Sequence, residues 1–215
     1  MLSVLHEMKP KNDFFAGSSD SPVAQMLDQE FLQAKATYFG LMTEIDEQLG
    51  RIFDYLKATN QYDSTLIVFT SDHGEQLGDH YLFGKLGYFD ASYHIPLIIR
   101  DPQRQLQNVK TLEHFSESVD VMPTILDWLG LEIPDQCDGR SLLPFLENEV
   151  PRNWREEVHS EFDFRWIGSY QPMIEERFGL LPDECSLVII RDDDYKYVHM
   201  TALPPLFFDV KRDPG

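Results

Sequence analysis

The feature that most constrains this chain is a junction. The apolar, β-branched run TLIVFT, Thr65 to Thr70, follows a long helical repeat and gives way at once to a glycine-rich stretch with no period. A short continuous run of this kind is the pattern of a strand buried on both faces of a parallel sheet. The repeat before it sets Phe31, Ala34, Tyr38, Leu41, Met42, Ile45, Leu49, Ile52, Phe53 and Leu56 near the three-and-four spacing of one helix face. Ser21 followed by Pro22 is a helix-start signal after a loop-like lead-in over 1–21, and the helix is expected to run, broken near residue 30, to residues 58–60. A helix followed directly by a buried strand is an α/β unit, and open α/β sheets bind ligands at the carboxyl ends of their strands.

The stretch at that strand end is SDHGEQLGDHYLFGKLGYFD, residues 71–90. Asp72 and His73 come first, so the sheet anchors their backbone while their side chains face the crevice. A carboxylate beside an imidazole is a plausible pair of ligands for a divalent ion. The dipeptide alone is equally compatible with an Asp that caps the next turn and a His that packs nearby. Gly74, Gly78 and Gly84 let the backbone fold tightly around a site, and Lys85 is placed to bring an ammonium back toward a metal-bound anion. Taken singly, Lys85 also reads as a solvated surface lysine.

Further along, HIPLIIR (94–100) reads as a second strand, with Pro96 marking an edge or an early position. From Ser118 the pattern predicts a helix with Pro123 in its first turn and Gly130 as its stop. Residues 131–185 read as irregular, punctuated by Pro134, Pro144, Pro151, Pro172 and Pro182. Leu187 to Arg191 and Tyr195 to Met200 read as an antiparallel hairpin around Asp192, Asp193 and Asp194, with Phe207 to Val210 as one more strand. The fold class is therefore α/β: part of a mixed sheet flanked by helices, with a small C-terminal antiparallel β piece. The expected division is 1–135 for the α/β portion and 136–215 for the irregular segment and hairpin.

The charge balance, 37 acidic against 18 basic residues for a net charge of -19, argues against nucleic acid or an anionic membrane as partner. An anionic substrate would then need local cations in the cleft. Cys137 and Cys185 form no metal-ligand spacing and no disulfide pattern, which predicts a reducing, cytoplasmic setting. No apolar run approaches the roughly 20 residues of a membrane span, and Met1 to Lys11 lack the apolar stretch of a signal peptide.

VFTSDHGEQLGDHYLFGKLGYFD resembles the second metal-binding segment of the sulfatase branch of the alkaline phosphatase superfamily, most of all the phosphonate monoester hydrolases. The resemblance extends through GLMTEIDEQLGRIFDYL before it and through IPLIIRDP, ESVDVMPTILDWLG, CDGRSLLPF, RDDDYKYVH and LPPLFFDVKRDPG after it. It implies an alkaline-phosphatase-like fold in part, with Asp72 and His73 as two C-terminal metal ligands and Lys85 as the lysine that holds the transferred anionic group. His80, in the same loop, would line the pocket and touch substrate. The divalent metal ion could be Mn, Zn or Ca, the substrate would be a small anionic ester, and relatives are often homo-oligomers.

The family's nucleophile is a cysteine converted to formylglycine, or a serine or threonine, in a Cys-x-Pro-x-Arg type signature near the N-terminus. Cys137 is followed by Asp138, Gly139 and Arg140, and Cys185 by Ser186 and Leu187; neither matches. The expectation is the C-terminal part of a phosphonate, phosphate or sulfate monoester hydrolase, with the formylglycine and the remaining ligands in an N-terminal half and little activity by itself. The competing expectation is a non-catalytic remnant that serves as an interaction or assembly module.

Overall fold

The computed structural model describes residues 26–85, 87–104, 111–163, 176, 179–181 and 184–212. The lead-in over 1–21 and the Ser21–Pro22 helix start lie outside them. The chain divides into two compact units, Met1–Gln105 and Leu106–Gly215.

In the first unit, helix α1 spans Asp28–Ala58 without a break. Its start is fixed by the Glu30 carboxylate, which accepts a hydrogen bond from the Leu27 N–H at 2.7 Å. Its end follows from Asn60, which turns left-handed at φ 57° while the Gln61 N–H closes back on the Leu56 carbonyl at 2.8 Å. Strand β1 (Ile67–Thr70), the short helix α2 (Asp90–Tyr93) and strand β2 (Leu97–Arg100) follow.

TLIVFT, read as a strand of a parallel sheet, pairs among the described residues with one neighbour, and that pairing is antiparallel. β1 pairs with β2 antiparallel, Ile67 opposite Arg100 and Thr70 opposite Leu97. An apolar run reports burial and not direction, so the same residues suit either ladder. Arg100 locks the ladder's end, donating to the Tyr62 and Thr65 carbonyls at 2.7 and 3.2 Å and lying 3.8 Å over the Tyr62 ring.

The second unit is built on helix α3 (Val121–Trp128), the short helix α4 (Leu143–Leu146) and a four-stranded antiparallel sheet. The sheet order is β3 (Val158–Asp163), β4 (Ser186–Arg191), β5 (Tyr195–Met200) and β6 (Leu206–Asp209). The hairpin and the last strand fall where the alternation predicts; β3 lies inside the stretch read as irregular. Leu187, Ile189 and Val198 point from the sheet into the core with Leu142, Leu143 and Phe145. At the β4–β5 turn the Asp192 carboxylate accepts from the N–H groups of Asp194 and Tyr195 at 2.7 and 2.6 Å. The Tyr195 bond above all, with that of Asp194, holds the Asp192 carboxyl below the ordinary range. That contribution is therefore complete above the unfolded Asp value of about 4 and is lost as pH falls through the lowered one.

Asp120 joins the pieces of this unit. Its carboxylate is fully buried, accepts from the Glu117 and Arg140 N–H groups at 2.8 Å each, and takes a two-pronged contact from the Arg155 guanidinium, Nη2 to Oδ1 at 2.7 Å. The Asp120 hydrogen bond in turn raises the Arg155 pKa above its ordinary value. Thr124, one turn later, donates to the Asp120 carbonyl and accepts from the Leu142 N–H. These links bind α3 to the Gly139–Leu142 segment. Gly139 is required there, since a Cβ would stand 2.0 Å from the Val119 carbonyl oxygen. Among the described residues no helix is long and apolar enough to cross a membrane.

Among the described residues, removing Asp120 leaves the Arg155 cation with Glu117 alone, 3.5 Å away, and takes the acceptor from two part-buried N–H groups. Asp120→Ala is expected to cost about 3–5 kcal/mol of stability, read as a lower urea midpoint at unchanged slope; a midpoint within error of the parent would contradict the role given to it.

Candidate metal and anion site

The loop after β1 is held between two helices of its unit. On one side Gly74 donates its N–H to the Ser92 carbonyl of α2 at 2.8 Å, an approach so close that a Cβ on Gly74 would stand 1.9 Å from the Ala91 carbonyl oxygen. Only glycine fits. Buried Gln76 donates from Nε2 to the Ser92 hydroxyl at 2.6 Å, so a single α2 residue receives both. Tyr93 donates its hydroxyl proton to the Gly87 carbonyl at 2.8 Å, and burial pushes its pKa up to about 12, which keeps that proton in place at neutral pH.

On the other side the loop meets α1. Gly78, at φ +86°, lies where a Cβ would strike the Phe31 ring at 2.6 Å; Phe31 stacks on Phe83 with centroids 5.6 Å apart. Lys35 reaches Asp79 at 3.3 Å. The loop also closes on itself. Glu75 accepts from the N–H groups of Leu77 at 3.1 Å and Gly84 at 2.6 Å, while Gln76 donates its N–H to the Gly84 carbonyl at 2.9 Å. Residue 84, and with it the exposed Lys85, is thereby returned to positions 75 and 76, just after His73.

The Asp72 side chain is 82% exposed and that of His73 35%. His73 Nδ1 lies 2.8 Å from the Gly74 carbonyl. A carbonyl can only accept, so Nδ1 carries a proton and Nε2 is the ring nitrogen left to face Asp72. That nitrogen is 3.5 Å from Asp72 Oδ2. Two lone-pair atoms so placed repel unless a cation lies between them, whether a ring proton or a metal ion. Two donors bound tetrahedrally at ordinary zinc distances stand about 3.4 Å apart, so the spacing fits a shared divalent ion. The Gly74 contact is the outer hydrogen bond that metal-binding histidines use to fix their orientation. Among the described residues no group of three His, Cys, Asp or Glu side chains is arranged to hold a metal.

Of the four residues singled out from the sequence, Asp72 and His73 are thus brought together, and the backbone returns Lys85 toward them. His80 is placed differently, with a left-handed backbone at φ 53° and its ring stacked 3.9 Å from that of Phe89. Neither Cys137 nor Cys185 is in a disulfide, and Cys185 is buried with its thiol donating to the Leu181 carbonyl at 3.2 Å. Glu75 and Ser92 were not read from the sequence. An acidic residue accepting from two N–H groups inside a glycine-rich loop leaves no periodic trace, though its place beside Gly74 is the available signal.

The sequence profile of the Sulfatase family matches residues 6–131. The chain belongs to the sulfatase family. The profile of the N-sulphoglucosamine sulphohydrolase C-terminal region matches residues 78–215. The multifunctional alkaline phosphatase superfamily protein PehA of Trinickia caryophylli is 55% identical over 204 residues, which cover 95% of this chain and 39% of that protein. The phosphonate monoester hydrolase of Agrobacterium radiobacter superposes at a TM-score of 0.83 with 44% identity, covering 92% of this chain and 38% of its own. That of Silicibacter pomeroyi gives 0.80 and 42%, covering 89% and 38%. This chain therefore spans well under half the length of the relatives it matches, and it corresponds to their C-terminal region.

Gly74→Ala tests how the site is held. The added methyl must displace the α2 backbone, and a loss of about 1–3 kcal/mol or more is expected in thermal or urea unfolding. Unchanged stability would show that the loop does not press on α2.

Proposed function

We propose that this chain supplies the C-terminal part of the active site of a metal-dependent hydrolase of phosphonate, phosphate or sulfate monoesters. Asp72 and His73 are two of the metal ligands in this reading, and Lys85 binds the anionic group. The observation that carries it is the placement of the His73 ring: Nδ1 lies 2.8 Å from the Gly74 carbonyl, and Nε2 lies 3.5 Å from the Asp72 carboxylate, a spacing suited to one ion. The substrate class is taken from the names of the relatives, which are phosphonate monoester hydrolases.

When bound, a divalent ion supplies Lewis acidity toward the ester and lowers the pKa of the attacking group. Asp72 contributes charge and His73 a lone pair aimed by its backbone contact. Glu75 keeps the loop closed, so that Lys85 is carried back to the site and neutralises charge building on the non-bridging oxygens. His80, one ring face covered by Phe89, would offer substrate only its edge nitrogens. The formylglycine nucleophile belongs to the N-terminal part of the family fold. The metal is Mn, Zn or Ca, and a homo-oligomer is consistent with the family resemblance. A reducing, cytoplasmic setting belongs to this reading on the ground of the sequence, whose two cysteines show no disulfide pattern.

In the chain joined to that N-terminal part, Asp72→Ala is expected to abolish metal-dependent hydrolysis of an aryl phosphonate or sulfate ester. Lys85→Ala should lower turnover on the order of 100-fold to 1000-fold with its unfolding temperature unchanged. Full activity of Asp72→Ala, or parallel loss of stability and activity in Lys85→Ala, would refute the assignments.

A further inference from the structure

The apolar stripe of α1 is anchored at both ends by its own unit and, among the described residues, exposed between them. At one end Phe31 stacks on Phe83; at the other Phe53 meets Tyr62 edge-on at 6.2 Å. Between these anchors Tyr38, Leu41, Met42, Ile45 and Ile52 keep the spacing of one face, and the middle three are 54%, 50% and 55% exposed. An open groove of about 630 Å³ continues the stripe past Tyr38 and Leu41 to Leu77 and Phe83 of the loop. Contiguous apolar surface on this scale marks an interaction face.

A second observation points the same way. β1 and β2 form only a two-stranded ladder among the described residues, although both are apolar runs, and Ile98 is 61% exposed. A ladder of two strands is marginal by itself and calls for further strands or a covering layer. The missing cover has an evident source in length, because this chain spans only 39% of PehA.

We infer that the Tyr38–Ile52 stripe is an interior face of the complete sulfatase fold. Its occupant is the polypeptide that corresponds to the N-terminal part of the relatives, whether joined to this chain or supplied as a separate one. The inference rests on the reading of the chain as a C-terminal part, and it adds the surface through which the two parts assemble. Its prediction is complementation in trans, with the stripe as the determinant.

The experiment co-expresses this chain with the portion of Trinickia caryophylli PehA that precedes the matched region. Light scattering after gel filtration reads the assembly, and hydrolysis of a phosphonate monoester follows. A one-to-one complex is expected, and Ile45→Glu and Leu41→Lys should each weaken it at least about 30-fold while retaining the helical circular dichroism of the parent. Glu47→Lys, on the opposite face of α1, should leave it unchanged, as should Asp72→Ala. The inference is overturned by the absence of a complex, by a complex indifferent to both stripe variants, or by self-dimers of this chain that those variants dissolve. A complex that assembles but does not hydrolyse the ester supports the docking surface and refutes the hydrolase reading.

Discussion

The contact between Gly74 and α2 governs the candidate site, because it decides where the chain goes on leaving β1. With the Gly74 N–H bound to Ser92 and no space for a side chain, the backbone can follow only one course. That course puts the Gly74 carbonyl within reach of His73 Nδ1 and so leaves Nε2 beside Asp72. The same anchor seats Gln76 on Ser92, and the Gln76 backbone then takes up Gly84. The proposed ligand pair and the returning lysine thus derive from one close approach of two backbones. Glycine at position 74 is a steric requirement of the loop rather than a flexible joint.

The second unit solves a different problem with buried charge. Its apolar core is modest, and Asp120 connects segments that the chain separates widely, from Glu117 through Arg140 to Arg155. Burying a carboxylate is costly unless every lone pair is engaged. Here two backbone donors and the planar fork of Arg155 engage it, and Glu117 extends the network by accepting the His159 N–H of β3 at 2.7 Å. The indole of Trp154 donates to the Phe115 carbonyl at 2.7 Å and packs edge-on against Phe145, closing the core beside the ion pair.

Much of this was legible in the sequence wherever a period was long enough to read. The three-and-four repeat of α1, the alternation of β4 and β5 and the Asp192 turn declare themselves because each holds its period or turn signal over enough residues to read. Strand direction does not declare itself, since IVFT and LIIR would read alike in either ladder. β3 escaped because VHSEFD alternates over only six residues, with Val158 and Phe162 as its large apolar members. Asp120 has no local pattern that sets it apart; its importance lies in partners 20 and 35 positions away. Asp72, His73 and Lys85 were visible through their place after a strand and their resemblance to a family motif. The roles of Glu75 and Ser92, which hold that motif in shape, depend on tertiary contacts that carry no local signature.

The central claim is that Asp72 and His73 share one divalent cation. Its most direct test is a crystal of this chain assembled with its N-terminal part and grown with manganese or zinc, with diffraction recorded at the metal edge. The account predicts a single anomalous peak about 2.0–2.2 Å from both a carboxylate oxygen of Asp72 and Nε2 of His73. A fully occupied metal elsewhere, with His73 Nε2 paired only to the Asp72 carboxylate, would contradict it.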